Sequence, residues 1–358
     1  MLDNISSRKF LKLFYFRDML VLQGSDHHVP VEMYDRYVAS LIAQIKAASP
    51  DFVILNGDLF NNPDGQNIQP AIGDLLRDVA KGYFGKVFFV PGNHCLRGKG
   101  DVWSNFGKLP ENVCAPLENP TQPVIVESNA GRIVLGNIFY DSRMFDFNDF
   151  SSDAFKIIGF NFTEQDTIRL YNKGKDGEHL FGGCRDLFPL MADNLVAKMG
   201  PDVAMLITHC LPHSSIVQFR VAELTNETSE IERKYGVSFI CNPEEDERDG
   251  RIWGTEAEGN NNGNGNRIWW NSRSMMMGSD VLSRAALHDS LVVVFGHNHL
   301  AEDDFPRLIN GKTVTTQSFQ SPLRFDGPRW RPKPVIIPDT VARGPWVARG
   351  AVARCSMD

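Results

Sequence analysis

Apolar and polar positions alternate along this chain in long blocks. Val87-Phe88-Phe89-Val90 stops at Pro91-Gly92 and is followed by Asn93-His94. Phe52-Val53-Ile54-Leu55 stops at Asn56-Gly57-Asp58, and Val203-Ala204-Met205-Leu206-Ile207 stops at Thr208-His209. Leu291-Val292-Val293-Val294-Phe295 stops at Gly296-His297-Asn298-His299. Short apolar runs bounded by breakers read as buried strands that feed tight turns. Residues 19–25 read as an earlier strand, ending at Asp26-His27-His28. Between these runs, Tyr34, Tyr37, Val38, Leu41, Ile42 and Ile45 recur at helical spacing, so 33–48 is expected to be an amphipathic helix, broken at Ser49-Pro50. A second helix is expected near 69–82. The resulting β-α-β-α-β order implies parallel strands with helical crossovers.

The middle of the chain is less regular. Residues 123–126 and 132–139 read as strands of a second sheet, and 186–199 as helical at least after Pro189. Residues 212–280 form a long excursion that contains an acidic cluster, Glu244 to Glu247, and a tract from Asn260 to Asn266 that is almost pure Asn and Gly. Such a tract cannot bury a core. Arg251-Ile252-Trp253 and Arg267-Ile268-Trp269-Trp270 flank it and are expected to pair as a hairpin. After Phe319 the chain turns basic and Pro-rich. The expected division is a catalytic domain over 1–320, with 212–280 as an insertion acting as substrate cap or mobile loop. Residues 321–358 are expected to be a C-terminal extension of disordered composition.

Composition narrows the class. The 358 residues, 42% apolar and 23% charged, suit a globular protein with a sizeable core. A net charge of −7 argues against a broad nucleic-acid-coating surface. The cysteines, Cys95, Cys114, Cys184, Cys210, Cys241 and Cys355, form no C-x-x-C pair. Their spacing suggests neither a zinc cage nor a disulfide framework, so reduced thiols in the cytoplasm are expected. Arg8, Lys9 and Lys12 before Leu13-Phe14-Tyr15-Phe16 faintly resemble a signal peptide, but Arg17 and Asp18 interrupt the apolar stretch. No run approaches the length of a membrane span.

The chemistry sits at the ends of the predicted strands. Asp26, His28, Asp58, Asn93, His209, His297 and His299 supply two carboxylates, one amide oxygen and four imidazoles. Mixed nitrogen and oxygen donors suit Mn, Fe, Zn or Ni better than Ca or Mg. Seven donors exceed one ion and suffice for two if a carboxylate bridges. Two-metal sites serve in-line displacement at phosphorus. Taken singly, Asp26 would be a turn or cap residue and Asn93 a turn former. Together they share one position, just past a buried strand. His27, His179, His213 and His288 are read as ordinary histidines.

These blocks, Asp26-x-His28, Gly57-Asp58, Gly92-Asn93-His94, Thr208-His209 and Gly296-His297-Asn298-His299, resemble the five motifs of the calcineurin-like metallophosphoesterase superfamily, in the family's order. The resemblance implies an α/β fold, a two-sheet α/β/β/α sandwich with the site at the strand C-terminal ends. It implies that Asp26, His28, Asp58 and His299 hold a first metal, with Mn favoured. Asn93, His209 and His297 would complete a second, and Asp58 would bridge. Metal-bound hydroxide would attack phosphorus while His94, not a ligand, assists the leaving group. The expected substrate is a phosphate ester, small or nucleotide-like, without a membrane partner.

Two departures matter. The residue after Asn93-His94, usually acidic in the family, is Cys95. The run Leu59-Phe60-Asn61-Asn62-Pro63 lacks the Arg of the Ser/Thr protein phosphatases, so that branch is disfavoured. Gly57-Asp58-Leu59-Phe60 resembles the nuclease branch, which makes a Mn-dependent DNA nuclease the alternative, with a non-catalytic scaffold as the third reading. Arg97 and Lys99 are candidates for substrate phosphate. Arg251 and Arg267, with Trp253, Trp269 and Trp270, are candidates for a nucleobase wall, or else a hairpin packed on the core.

Overall fold

The computed structural model describes residues 10–61, 67–96, 101–139, 187–213, 278–297 and 306–319, with short strands at 238–239, 253–256, 267–269, 302–303, 323–326 and 329–332. In chain order the elements begin with β1 (Lys12–Phe16), β2 (Met19–Gly24), β3 (Val29–Pro30), α1 (Tyr34–Ala48), β4 (Phe52–Leu55), β5 (Phe60–Asn61), α2 (Gln69–Lys81) and β6 (Lys86–Phe89). Then come β7 (Val113–Cys114), β8 (Val124–Ser128), β9 (Gly131–Leu135), α3 (Phe188–Lys198) and β10 (Val203–Ile207). The strands β11 (Ser238–Phe239), β12 (Trp253–Glu256) and β13 (Arg267–Trp269) follow. The last elements are α4 (Val281–Arg284), β14 (Leu291–Phe295), β15 (Glu302–Asp303), β16 (Pro306–Ile309), β17 (Lys312–Phe319), β18 (Leu323–Asp326) and β19 (Arg329–Pro332).

Two mixed sheets carry the fold. The first runs β1-β2-β4-β6-β7, parallel except for the β1–β2 hairpin. The second runs β15-β17-β14-β10-β9-β8, with a parallel centre and antiparallel pairs at both edges. Each apolar run is buried on both faces, and its alternate residues serve different layers. In β4, Val53 and Leu55 pack under α1 and α2, against Tyr37, Leu41, Ile72 and Leu76. Phe52 and Ile54 point the other way, toward Met205, Ile207 and Val294 of the second sheet. In β10, Leu206 turns outward to Leu195 of α3 and to Val281 and Leu282 of α4. The layers are therefore helix, sheet, sheet, helix, as expected.

Local chemistry sets the helix limits. Helix α1 ends because Ser49 turns left-handed (φ 47°) while its N–H caps Ile45 O at 2.9 Å. Helices α2 and α3 each carry a proline in their first turn, where no amide donor is needed.

The structure shortens one reading: the strand expected over 132–139 is β9 and ends at Leu135. Leu13 to Phe16, faintly like a signal segment, is edge strand β1, turned by Arg17-Asp18 into register with β2. Strands β15 to β17 carried no sequence expectation. The expected pairing around the Asn/Gly tract is present as antiparallel β12–β13, with Trp253 opposite Trp269. Within the Pro-rich extension, β18 and β19 pair antiparallel. No helix among the described residues is long and apolar enough to cross a membrane.

Candidate metal centre

Five loops meet at the C-terminal ends of β2, β4, β6, β10 and β14. The first two are knitted together by backbone. Hydrogen bonding of parallel β2 and β4 continues past both strands through Asn56 N to Gly24 O (2.7 Å), Asp26 N to Gly57 O (3.0 Å) and His28 N to Asp58 O (3.0 Å). That zipper sets Asp26, His28 and Asp58 side by side. It also forces left-handed backbone on all three, at φ 55°, 49° and 51°, and His297 shares the conformation at φ 70°. Such conformations cost about 1–3 kcal/mol each in non-glycine residues and cluster at functional sites. On the second sheet, Thr208 N bonds Val294 O and Gly296 N bonds His209 O, both at 2.9 Å, so the two motif loops run in step.

Asp58 is the hub. Its Oδ1 accepts the His94 backbone N–H at 2.8 Å. Its Oδ2 lies 3.4 Å from His209 Nε2 and 4.0 Å from His28 Nε2. Across the sheets, Asp26 Oδ2 accepts the His297 N–H at 2.9 Å and the Ser25 hydroxyl. His297 Nδ1 lies 3.1 Å from Asn93 Oδ1. His209 Nδ1–H donates to Asn56 O at 2.7 Å, which leaves Nε2 to face Asp58 as a lone pair. The His28 and His94 rings meet edge to face at 4.6 Å.

Two glycines make this closeness feasible. A Cβ on Gly92 would come within 2.2 Å of Asp58 Oδ1. One on Gly296 would come within 2.0 Å of Ser25 Oγ and 2.5 Å of Asp26 Oδ2.

Electrostatics test whether a cation fits. Asp26 and Asp58 are buried together, and Asp58 Oδ2 and His209 Nε2 face each other with no hydrogen bond to satisfy either. Burial alone would raise the Asp58 carboxyl, but His209, His94 and His28 outweigh it and hold it well below the usual range. Burial likewise opposes a charge on His209, yet Asp58 and Asp26 push that imidazole up to about 9. A carboxylate and a nitrogen lone pair aimed at each other call for a positive charge between them. A proton supplies it here, and a metal cation fits the same place. Three donor groups lie within 4.8 Å among themselves: Asp26, Asp58 and His209; His28, Asp58 and His94; and His209, Cys210 and His297.

Of the residues expected from sequence, Asp26, His28, Asp58, Asn93, His94, His209 and His297 thus converge. His299, Arg97, Lys99 and Arg251 lie outside the described residues, as do the side chain of Arg267 and the residue Trp270. His94, expected to be no ligand, nevertheless offers a ring nitrogen within 4.8 Å of a His28 ring nitrogen and an Asp58 carboxylate oxygen. His27 is a structural residue: its Nε2–H donates to Phe10 O at 2.7 Å, and Nδ1 takes the Tyr37 hydroxyl. Ser25, Asn56 and Cys95 support the site and were not expected from sequence. Cys95 Sγ accepts the Asp58 N–H at 3.1 Å, and burial together with the Asp58 charge pushes the thiol up, so it stays neutral. Each adjoins a motif residue, Ser25 beside Asp26, Asn56 beside Gly57-Asp58 and Cys95 beside His94, and that adjacency is the sequence signal for them.

The family model for calcineurin-like phosphoesterases matches residues 19–242, more than half of the chain. The chain belongs to the calcineurin-like phosphoesterase family. The match includes the first four motifs, and the Asp26–His297 hydrogen bond joins the fifth to them. Among solved structures, the chain is similar to the nuclease MPE of Pseudomonas putida, at 16% identity and a TM-score of 0.19. That match covers 35% of this chain and 64% of the nuclease, too loose an overlap to bear on activity. No match was found among curated proteins. Family membership and the clustered His and Asp donors support metal-dependent phosphoester hydrolysis as the general chemistry.

Proposed function

We propose that this chain hydrolyses a phosphate ester of a small or nucleotide-like molecule, as a phosphodiesterase or phosphatase, at a dinuclear centre. Asp26, His28, Asp58 and His299 hold one cation. Asp58, Asn93, His209 and His297 hold the other. The observation that carries this reading is Asp58 Oδ2 facing His209 Nε2 at 3.4 Å and His28 Nε2 at 4.0 Å, buried and otherwise unsatisfied. A pair of transition-metal ions supplies Lewis acidity to a phosphoryl oxygen and lowers the pKa of coordinated water toward about 7.

The chain's own residues do the rest. Asp58 and Asp26 would offset the charge of the cations they hold. The Asn56 carbonyl orients His209, and Ser25 orients Asp26. His94, half-buried, has its backbone tied to Asp58 and its ring edge to face with that of His28. It donates a proton to the departing oxygen. The catalytic unit in this reading is residues 1–320; the insertion 212–280, expected as a substrate cap or mobile loop, lies mostly outside the described residues. Leu59 and Phe60, whose likeness to nucleases motivated the DNA-nuclease alternative, are fully buried, and Phe60 packs on Tyr34 and Tyr37. Core packing accounts for that pair without nucleic acid.

Chelation is expected to abolish hydrolysis of a chromogenic phosphate ester, and Mn²⁺ to restore it. Full activity in Asp58→Ala would overturn the proposal. A Mn²⁺ panel of monoesters, cyclic and linear small diesters, and single- and double-stranded DNA then separates the substrate classes. Cleavage of DNA alone would favour the nuclease.

A further inference from the structure

We propose that Cys210 is a thiolate ligand of the second cation position, beside His209 and His297, and that this position therefore takes a thiophilic ion such as Zn²⁺, Fe²⁺ or Co²⁺ in preference to Mn²⁺. The inference rests on reading this cleft as a dinuclear centre. The donor atoms of His209, Cys210 and His297 lie within 4.8 Å of one another, and all three residues are buried. A zinc ion holds sulfur at about 2.3 Å and imidazole nitrogen at about 2.0–2.1 Å. Around one tetrahedral ion such donors stand about 3.3–3.6 Å apart, so the three groups, already within 4.8 Å of one another, close on it by at most about 1.5 Å.

The thiol is also held in place. Thr208 Oγ1–H donates to Cys210 O at 2.9 Å, Gly296 N–H donates to His209 O at 2.9 Å, and Ser279 N–H donates to Leu211 O at 3.0 Å. The backbone through Cys210 is thus pinned before, at and after the residue. His209 Nε2, on a residue 1% exposed, has no hydrogen bond and faces Asp58 Oδ2 at 3.4 Å, so the imidazole beside Cys210 is left with a donor atom for a cation. Cys95 is differently placed, since its sulfur already receives the Asp58 N–H. On binding, the Cys210 S–H bond breaks, its proton passes to solvent, and the sulfur lone pair forms the bond to the cation. Thiolate softness then selects against Mn²⁺.

The test uses the full chain loaded with Co²⁺. The unmutated protein is expected to show a near-ultraviolet sulfur-to-cobalt charge-transfer band. Cys210→Ser and Cys210→Ala are expected to lose the band while keeping the visible ligand-field bands of bound cobalt. Zn²⁺ affinity should fall at least about tenfold in these variants and Mn²⁺ affinity hardly at all. Cobalt bound without the band, or a band that survives both substitutions, overturns the thiolate and leaves the dinuclear reading standing. Failure of cobalt, zinc and manganese to bind overturns both. Should the variants not fold, X-ray absorption at the zinc edge of the unmutated protein decides. A sulfur shell at about 2.3 Å supports the proposal, and nitrogen and oxygen alone overturn it.

Discussion

The two walls of the cleft are built differently. The first-sheet wall carries both carboxylates, Asp26 and Asp58, on loops fused by a backbone zipper and strained into left-handed turns. The second-sheet wall carries His209, Cys210 and His297 on loops that leave parallel strands in step. Neither wall is a site alone: one carries both carboxylates and the other carries imidazoles and a thiol. Contacts across the gap close the cradle: Asp26 to His297, Asn93 to His297, Asp58 to His209, and Asn56 O to His209. The centre is therefore a property of how the sheets pack. Its integrity depends on Phe52, Ile54, Met205 and Ile207 between them as much as on the donors.

The largest effect should come from removing the bridge of that closure. Asp58→Ala takes away the carboxylate that faces His28 and His209 and accepts the His94 N–H. Activity should fall by more than about 100-fold, the scale of losing one charge-stabilising group. Elemental analysis should find less than the full metal complement. A variant that keeps its metal would mean that the walls can share cations without Asp58.

Next comes wedging the walls apart without removing a donor. In Gly296→Ala the new methyl would meet Ser25 Oγ at 2.0 Å and Asp26 Oδ2 at 2.5 Å. Overpacking of this kind costs about 1–3 kcal/mol. Disturbing the group that orients a ligand should weaken metal binding about 10–100-fold. Calorimetric titration with Mn²⁺ and Zn²⁺ checks this, and unchanged affinity would sever the link between wall spacing and binding.

A cut in the layer between the sheets should separate stability from binding. Ile207 is fully buried there, so Ile207→Ala should cost about 2–5 kcal/mol. Its metal affinity well below the melting temperature should change less than in Gly296→Ala, because no donor or its support is displaced. Denaturant melts with and without Mn²⁺ give both quantities.

The sequence made the first wall easier to read than its supports. Strand 52–55 was legible to the residue because Ser49-Pro50 and Asn56-Gly57 punctuate both ends of an unbroken apolar run. Strand β1 was not, because it is apolar on both faces at a sheet edge: Leu13 and Tyr15 are exposed while Phe16 is buried. Strand β17 was hidden for the opposite reason, since Thr316 and Ser318 are polar yet buried. The donors were legible because each follows a strand. Ser25, Asn56 and Cys95 were not, because their roles depend on partners 31 or more positions away, such as Asn56 O for Ser25 and Asp58 N for Cys95. His27 and His28 make the limit plain. They are adjacent and identical, yet one tethers Phe10 and the other faces Asp58.

The smallest expected effect is a pH dependence that tells a proton from a metal between the walls. In the metal-free protein the raised pKa of His209, about 9 against an ordinary 6.5, makes its charge a stabilising element. That contribution is full below pH 6.5 and is lost as pH rises through about 9. The depressed Asp58 acts in the opposite direction: its contribution is present above its ordinary 3.8 and is lost as pH falls through the lowered value. Metal-stripped protein should therefore melt highest between pH 3.8 and 6.5 and lose a few degrees toward pH 9. Metal-loaded protein should lack the alkaline decline, because the cation stands where the proton stood and needs His209 neutral. His209→Gln should remove the decline from the stripped protein as well. An identical alkaline slope in stripped and loaded protein would mean that the charge between Asp58 and His209 is not exchanged for metal, and the two walls would then be held together by something other than a shared cation.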